Sequence, residues 1–240
     1  MAFGESIRSR VLAIVRAVAL VATCLTLANC SAPEYSSPAW SGRVVDHDTG
    51  APIEGAIVVV RWPLETFRSD LAGWLVMDEA VTDRDGVFQF KAWGPIRTPD
   101  TRGSRTRLSP NVPEIDVFKS EYEVATSAAG TNSGYLDDRS YTGPSVRKVY
   151  ADGKVIALAR FRGTDTQYAA HLDTFLRLPG PLCDYQLIPK IFAAIVMEDR
   201  RLKFRTGNGL PHGSLQHMQR MYAENKCTTT FLDSIKGYLR

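Results

Sequence analysis

Apolar and polar positions change period twice along this 240-residue chain. After an apolar run near the N-terminus, the stretch from Gly42 to Phe90 carries short runs of strand type. From about Thr164 onward the apolar residues recur at helical spacing. Gly42 to Asp46 predicts a first strand, followed by a turn-rich connection, His47 to Gly55, containing Thr49-Gly50 and Pro52. Ala56 to Trp62 is β-branched and apolar at successive positions, which predicts a central strand buried on both faces. Within residues 63–78 the spacing of Phe67, Leu71, Trp74 and Leu75 allows either one or two helical turns or a long hairpin. Glu79 to Thr82 starts another strand. Asp83-Arg84-Asp85-Gly86 is a tight turn, and Val87 to Trp93 alternates as a half-buried strand does. Glu114 to Ala125 predicts a strand or strand pair. Val146 to Phe161 predicts a hairpin around Asp152-Gly153. Polar loops are expected over residues 94–113 and 127–145.

The helical half predicts four helices. Tyr168, Leu172, Phe175 and Leu176 mark the first. Leu187, Ile188, Ile191, Phe192, Ile195 and Leu202 mark a longer second, with Pro189 in its first turn and Gly207 and Gly209 at its end. Leu215, Met218 and Tyr222 mark the third, and Phe231, Ile235, Tyr238 and Leu239 the fourth. The pattern is α+β: an N-terminal antiparallel β-sandwich over residues 40–161, then a helical C-terminal segment over 162–240.

The N-terminal run changes the setting. Arg8, Arg10 and Arg16 precede twelve apolar-rich residues, Ala17 to Ala28. That is short for a bilayer span and suits a signal peptide over 1–29. Leu27-Ala28-Asn29-Cys30 resembles the lipobox of bacterial lipoproteins. The resemblance implies lipid attachment at Cys30 and a location in the bacterial cell envelope, anchored by lipid. Ser31 after the Cys favours the outer membrane, facing the periplasm. Residues 30–39, with two Pro and three Ser after the Cys, read as a flexible tether.

Removal of residues 1–29 takes away three Arg and one Glu, a net +2 of the chain's +3, leaving +1. A nearly neutral chain argues against nucleic acid as a partner. Export leaves Cys183 and Cys227 in an oxidising compartment, where a disulfide is expected. A metal or redox pair would call for Cys-x-x-Cys or a matched His pair, and neither is present.

Gly42-Arg43-Val44-Val45-Asp46, Thr49-Gly50, Pro52-Ile53, Gly55-Ala56 and Thr82-Asp83-x-x-Gly86-x-Phe88 carry a family resemblance. Together they resemble the carboxypeptidase regulatory-like domain, a small transthyretin-like (prealbumin-like) sandwich. Pro113 to Tyr122 is similar to that family's later strand. The resemblance implies a fold and no hydrolysis. None of His47, His171, His212 and His217 has Glu three positions later, and His-Glu-x-x-His and Gly-x-Ser-x-Gly are absent.

Asp83 and Asp85 lack the further alternating ligands of a calcium loop and read as turn caps. His212 and His217, five apart, do not share a helical face. Arg97, Arg102, Arg105 and Arg107 form one basic cluster, which makes that loop a candidate contact for an anionic partner. No cofactor and no metal site are expected. The leading expectation is a non-catalytic envelope lipoprotein acting as a binding or accessory module, with a membrane anchor and an envelope protein as partners. Two alternatives stand beside it: an enzyme with a site between sandwich and helices around His171, Asp173 or His212, and a structural subunit of an envelope complex.

Overall fold

The computed structural model describes residues 34–66, 68–100, 105–109, 113–126, 145–146, 153–176 and 182–239. Residues Glu34–Arg240 form one compact unit, so sandwich and helices belong to the same body. The expected signal peptide over residues 1–29 and Cys30 lie outside the described residues.

The central strand is β3 (Ile57–Thr66), hydrogen-bonded on one side to β4 (Leu71–Val81) and on the other to β8 (Glu114–Phe118). The stretch 63–78 is therefore a long hairpin rather than a helix. Two register shifts interrupt its ladder, at Trp62/Pro63 and Leu64/Glu65, since Pro63 has no N–H to donate. Two shorter strands join this sheet, β7 (Thr106–Leu108) against β3 and β9 (Ala125–Thr126) against β8. A second sheet has the order β11 (Lys154–Leu158), β2 (Trp40–Asp46), β5 (Val87–Phe90). A third joins β10 (Ser145–Val146), β1 (Glu34–Ser37) and β6 (Trp93–Arg97).

Two expectations need correction. The tether gives up Glu34–Ser37 to a strand, and Tyr35 is buried. The polar loop expected over residues 94–113 contributes two strands, β6 and β7; the first arm of the hairpin expected around Asp152-Gly153 lies outside the described residues, and the described arm, β11, runs parallel to β2. Gly153 has the positive φ of a turn residue, but its N–H goes to Ser41 O, at the entry to β2.

Alternation along β3 divides the core in two. Val58, Val60, Trp62 and Leu64 face the β2–β5 sheet and meet Trp40, Val44, Phe88, Phe90 and Leu158. Trp40 packs edge-on to Phe88 at 5.7 Å. Ile57 and Val59 point the other way, with Met77 and Phe118, into the helical layer. This explains a strand apolar on both faces: one face is sandwich core, the other is roofed by helices. Gly86 holds the β4–β5 turn at φ 74°. A Cβ there would run into Val44 O, so the turn requires glycine.

The helices are α1 (Asp165–Phe175), α2 (Pro189–Thr206), α3 (Leu215–Glu224) and α4 (Phe231–Ile235), with a 3₁₀ turn at Leu182–Leu187. Thr164 and Gln167 form a capping box on α1, while Ser214 and Thr230 cap α3 and α4. Gly207 ends α2 in the left-handed conformation. Ile188, the residue before α2, offers no side-chain cap. That role is taken by Glu79 of β4, whose carboxylate accepts from Lys190 N at 2.7 Å and Ile191 N at 3.0 Å. Cys183 and Cys227 are joined in a disulfide, Cα–Cα 5.2 Å, tying the 3₁₀ turn to the segment after α3. The chain is thus a mixed α+β fold: a mainly antiparallel β-sandwich with a disulfide-tied helical layer on one face.

Candidate functional site

Asp173 sits on the buried side of α1, between Leu172 and Phe175 in the helical layer. Across from it, the turn before α3 presents His212. One carboxylate oxygen, Asp173 Oδ1, accepts both from His212 N at 3.1 Å and from His212 Nδ1 at 2.7 Å. That partner places a ring hydrogen on Nδ1. The His212 side chain is 39% exposed, so this imidazole is fixed by a carboxylate yet open to solvent. The ring of His217 packs edge-on to it at 5.0 Å. His217 Nδ1 accepts from Arg220 Nη2 at 3.0 Å. Burial, with His212 and Arg220 nearby, holds the His217 pKa below the usual histidine range, so that ring is neutral at pH 7. The arrangement is chemically a carboxylate-oriented base. Its neighbouring hydroxyl, Ser214 Oγ, accepts from His217 N at 3.2 Å as the α3 cap.

The structure thus brings together Asp173, His212 and His217. It does not bring in His171, whose Nε2 accepts from Val124 N at 3.0 Å while the ring lies 5.5 Å from Phe161. At two residues' separation on a helix, His171 and Asp173 lie on different faces. His47 is a surface residue beside Asp48.

The arginines of the basic cluster are spread over separate elements. Arg97 on β6 pairs with Glu34 at 2.8 Å, and Arg107 on β7 pairs with Glu65 at 2.9 Å. Arg105 is exposed, and Arg102 lies outside the described residues. Asp83 caps its own turn, its Oδ1 accepting from Asp85 N and Val87 N. Among the described residues, no group of three or more His, Cys, Asp or Glu is placed to hold a metal ion.

Sequence reasoning passed over the buried charges at the sheet–helix boundary. Arg61 lies on the helix-facing side of β3 and ion-pairs with Asp116 and Glu114 of β8. Its guanidinium lies 5.2 Å from the Trp74 ring centroid. Burial pushes the Asp116 carboxyl up to about 6, against the opposing pull of Arg61. Glu198 of α2, also buried, accepts from Ser120 Oγ at 2.8 Å and forks onto Arg201. Tyr168 Oη accepts from Glu121 N at 2.9 Å. The one available signal was a lone Arg in an otherwise apolar strand, Ile57 to Trp62, opposite an alternating Glu114-Ile115-Asp116.

No family model matches the chain, and no curated protein is similar to it. Among solved structures, the chain is similar to a 3-chlorocatechol 1,2-dioxygenase from Rhodococcus opacus, at 16% identity and TM-score 0.30. That match covers 55% of this chain and 62% of that one, so the chain spans less than two thirds of the dioxygenase's length. It is also similar to the major plantain pollen allergen, at 14% identity and TM-score 0.25, over 55% of this chain and 97% of that one. A dioxygenase domain from Streptomyces sp. SirexAA-E matches at 14% identity and TM-score 0.27, over 54% and 83%. Likenesses this weak carry no functional argument.

Proposed function

We propose that the chain is a non-catalytic lipoprotein of the cell envelope, acting as a binding or accessory module built on a regulatory-like sandwich. One observation supports the reading above others: four polar side chains at the sheet–helix boundary are spent on fastening the helical layer to the sandwich. Glu79 caps α2, Glu198 holds Ser120, Tyr168 holds Glu121, and His171 holds Val124. Side chains satisfied in this way supply rigidity rather than reactivity. A rigid body behind a lipidated Cys30 suits presentation of a surface to an envelope partner, or a structural place in an envelope complex. The test is metabolic palmitate labelling of the wild type and Cys30→Ser, followed by affinity capture from membranes and mass spectrometry. Label confined to the wild type, with a reproducible partner, is expected. Absence of both label and partner would sink the reading.

A second reading is an enzyme using the Asp173–His212 pair, favoured by the 2.7 Å contact that orients an accessible imidazole. It expects turnover of chromogenic acyl or phosphoryl esters that His212→Gln abolishes. Equal background rates in the two proteins would end it.

A further inference from the structure

The outer face of α2 carries the most exposed large apolar side chain among the described residues, Phe204, at 93%. Met197, 41% exposed, lies seven residues earlier, about two turns away on the same face. Scattered apolar residues on a surface need no explanation, but an aromatic standing fully in water and aligned with a second apolar residue does.

Charge decides what covers this ridge. Arg200 lies between Met197 and Phe204, and Lys203 flanks them; both are exposed, and among the described residues no ion pair holds either one. The carboxylate behind them, Asp199, is buried and accepts from Leu210 N; Lys203 and Arg200 act on it only through space. On the opposite flank, Arg201 is held by Glu198 and reaches Glu121 at 3.8 Å, and Arg205 pairs with Asp165 at 3.1 Å. The helix therefore presents an aromatic tip, an aliphatic step and two uncommitted cations on one side. A second copy packed face to face on this ridge would bring Arg200 and Lys203 against like charges. A layer of phosphate headgroups satisfies both cations without fixed geometry, while Phe204 enters the boundary below them.

We propose that the Met197–Phe204 face of α2 docks the folded unit onto an anionic lipid surface. The proposal does not rest on lipid at Cys30, although an anchor there would act with it. Only residues 31–33 separate Cys30 from β1, so the tether spans at most about 14 Å.

The test uses the chain from position 30 onward carrying Cys30→Ser, so that binding owes nothing to acylation. Co-sedimentation is measured with phosphatidylcholine vesicles and with vesicles containing about one third phosphatidylglycerol. Binding is expected to the anionic vesicles only, and to weaken as salt rises. Arg200→Gln with Lys203→Gln should weaken it about thirtyfold, at about 1 kcal/mol for each cation near the surface. Phe204→Ser should weaken it about tenfold. Both variants are on exposed positions, and an unchanged circular dichroism spectrum confirms folding. Equal binding by variants and wild type, or no binding to anionic vesicles, overturns the proposal. So does dimerisation that Phe204→Ser abolishes, or a captured acidic protein that needs these residues in the absence of vesicle binding. Failure of palmitate labelling leaves this assay intact, so the two readings fail separately.

Discussion

Truncating Glu79 to alanine removes the acceptor that caps α2 from the neighbouring sheet. Two helix N–H groups lose their partner at once. Ile191 is fully buried and Lys190 half-buried, so the first orphan costs about 2 kcal/mol and the second about 1. Glu79→Ala is therefore expected to destabilise the fold by about 3 kcal/mol. Glu79→Gln separates hydrogen bonding from charge. Burial raises the Glu79 pKa, outweighing the two backbone N–H groups and Lys190, so its charge is carried at a cost. Glutamine keeps one acceptor oxygen and sheds that charge, and the two effects should leave stability within about 1 kcal/mol of the wild type. The assay is urea unfolding followed by tryptophan fluorescence, under non-reducing conditions. A cost below about 0.5 kcal/mol for Glu79→Ala would show that α2 is held by apolar packing alone. A large loss in Glu79→Gln would refute the claim that the carboxylate's charge is a burden.

Three further predictions concern pH and redox state. Asp46, held down to about 2 mainly by the Tyr122 hydroxyl at 2.9 Å and the Thr49 amide, stabilises the fold above pH 3.8. That contribution should fade as pH falls from 3.8 through about 2, and Tyr122→Phe should move the acid-unfolding midpoint upward; an unchanged midpoint contradicts the assignment. Asp116 works in the opposite sense: its carboxyl titrates near 3.8 unfolded and about 6 folded, so stability should decline as pH rises between those values. Asp116→Asn should flatten that decline in thermal melts, and an identical slope would rule out Asp116 as its source. Reducing the Cys183–Cys227 disulfide opens a loop with a sequence separation of 44, worth about 4 kcal/mol in the chain-entropy picture. A melting temperature unchanged by dithiothreitol, with thiol release confirmed, would contradict it.

Legibility in the sequence followed the range of the interactions. The four helices could be read because capping and amphipathic spacing act within a few residues: Thr164, Ser214, Thr230 and Gly207 all do the work their types suggest. The Asp83–Gly86 turn was legible for the same reason. The strand that follows Gly153 shows the limit. A glycine with positive φ was correctly read, while its strand chose a partner more than a hundred residues away. The candidate site divides along the same line. Asp173 and His212 stood out as chemistry-bearing residues, but nothing in a separation of 39 positions states that they touch.

Taken alone, the sequence determined the α+β division, the β-type central run from Ala56 to Trp62, the two ends of α2 at Pro189 and Gly207, and the pairing of Cys183 with Cys227. These depend on backbone preference and local periodicity, which each segment carries within itself. Tertiary structure alone decided that helices roof the second face of β3, that Glu79 caps a helix from another layer, and that Arg97 and Arg107 are committed to ion pairs. It also decided that two exposed cations without an ion pair among the described residues, Arg200 and Lys203, stand on α2 beside Phe204. Which charges are buried, paired or free is a property of contacts between distant segments, and only packing brings those segments together.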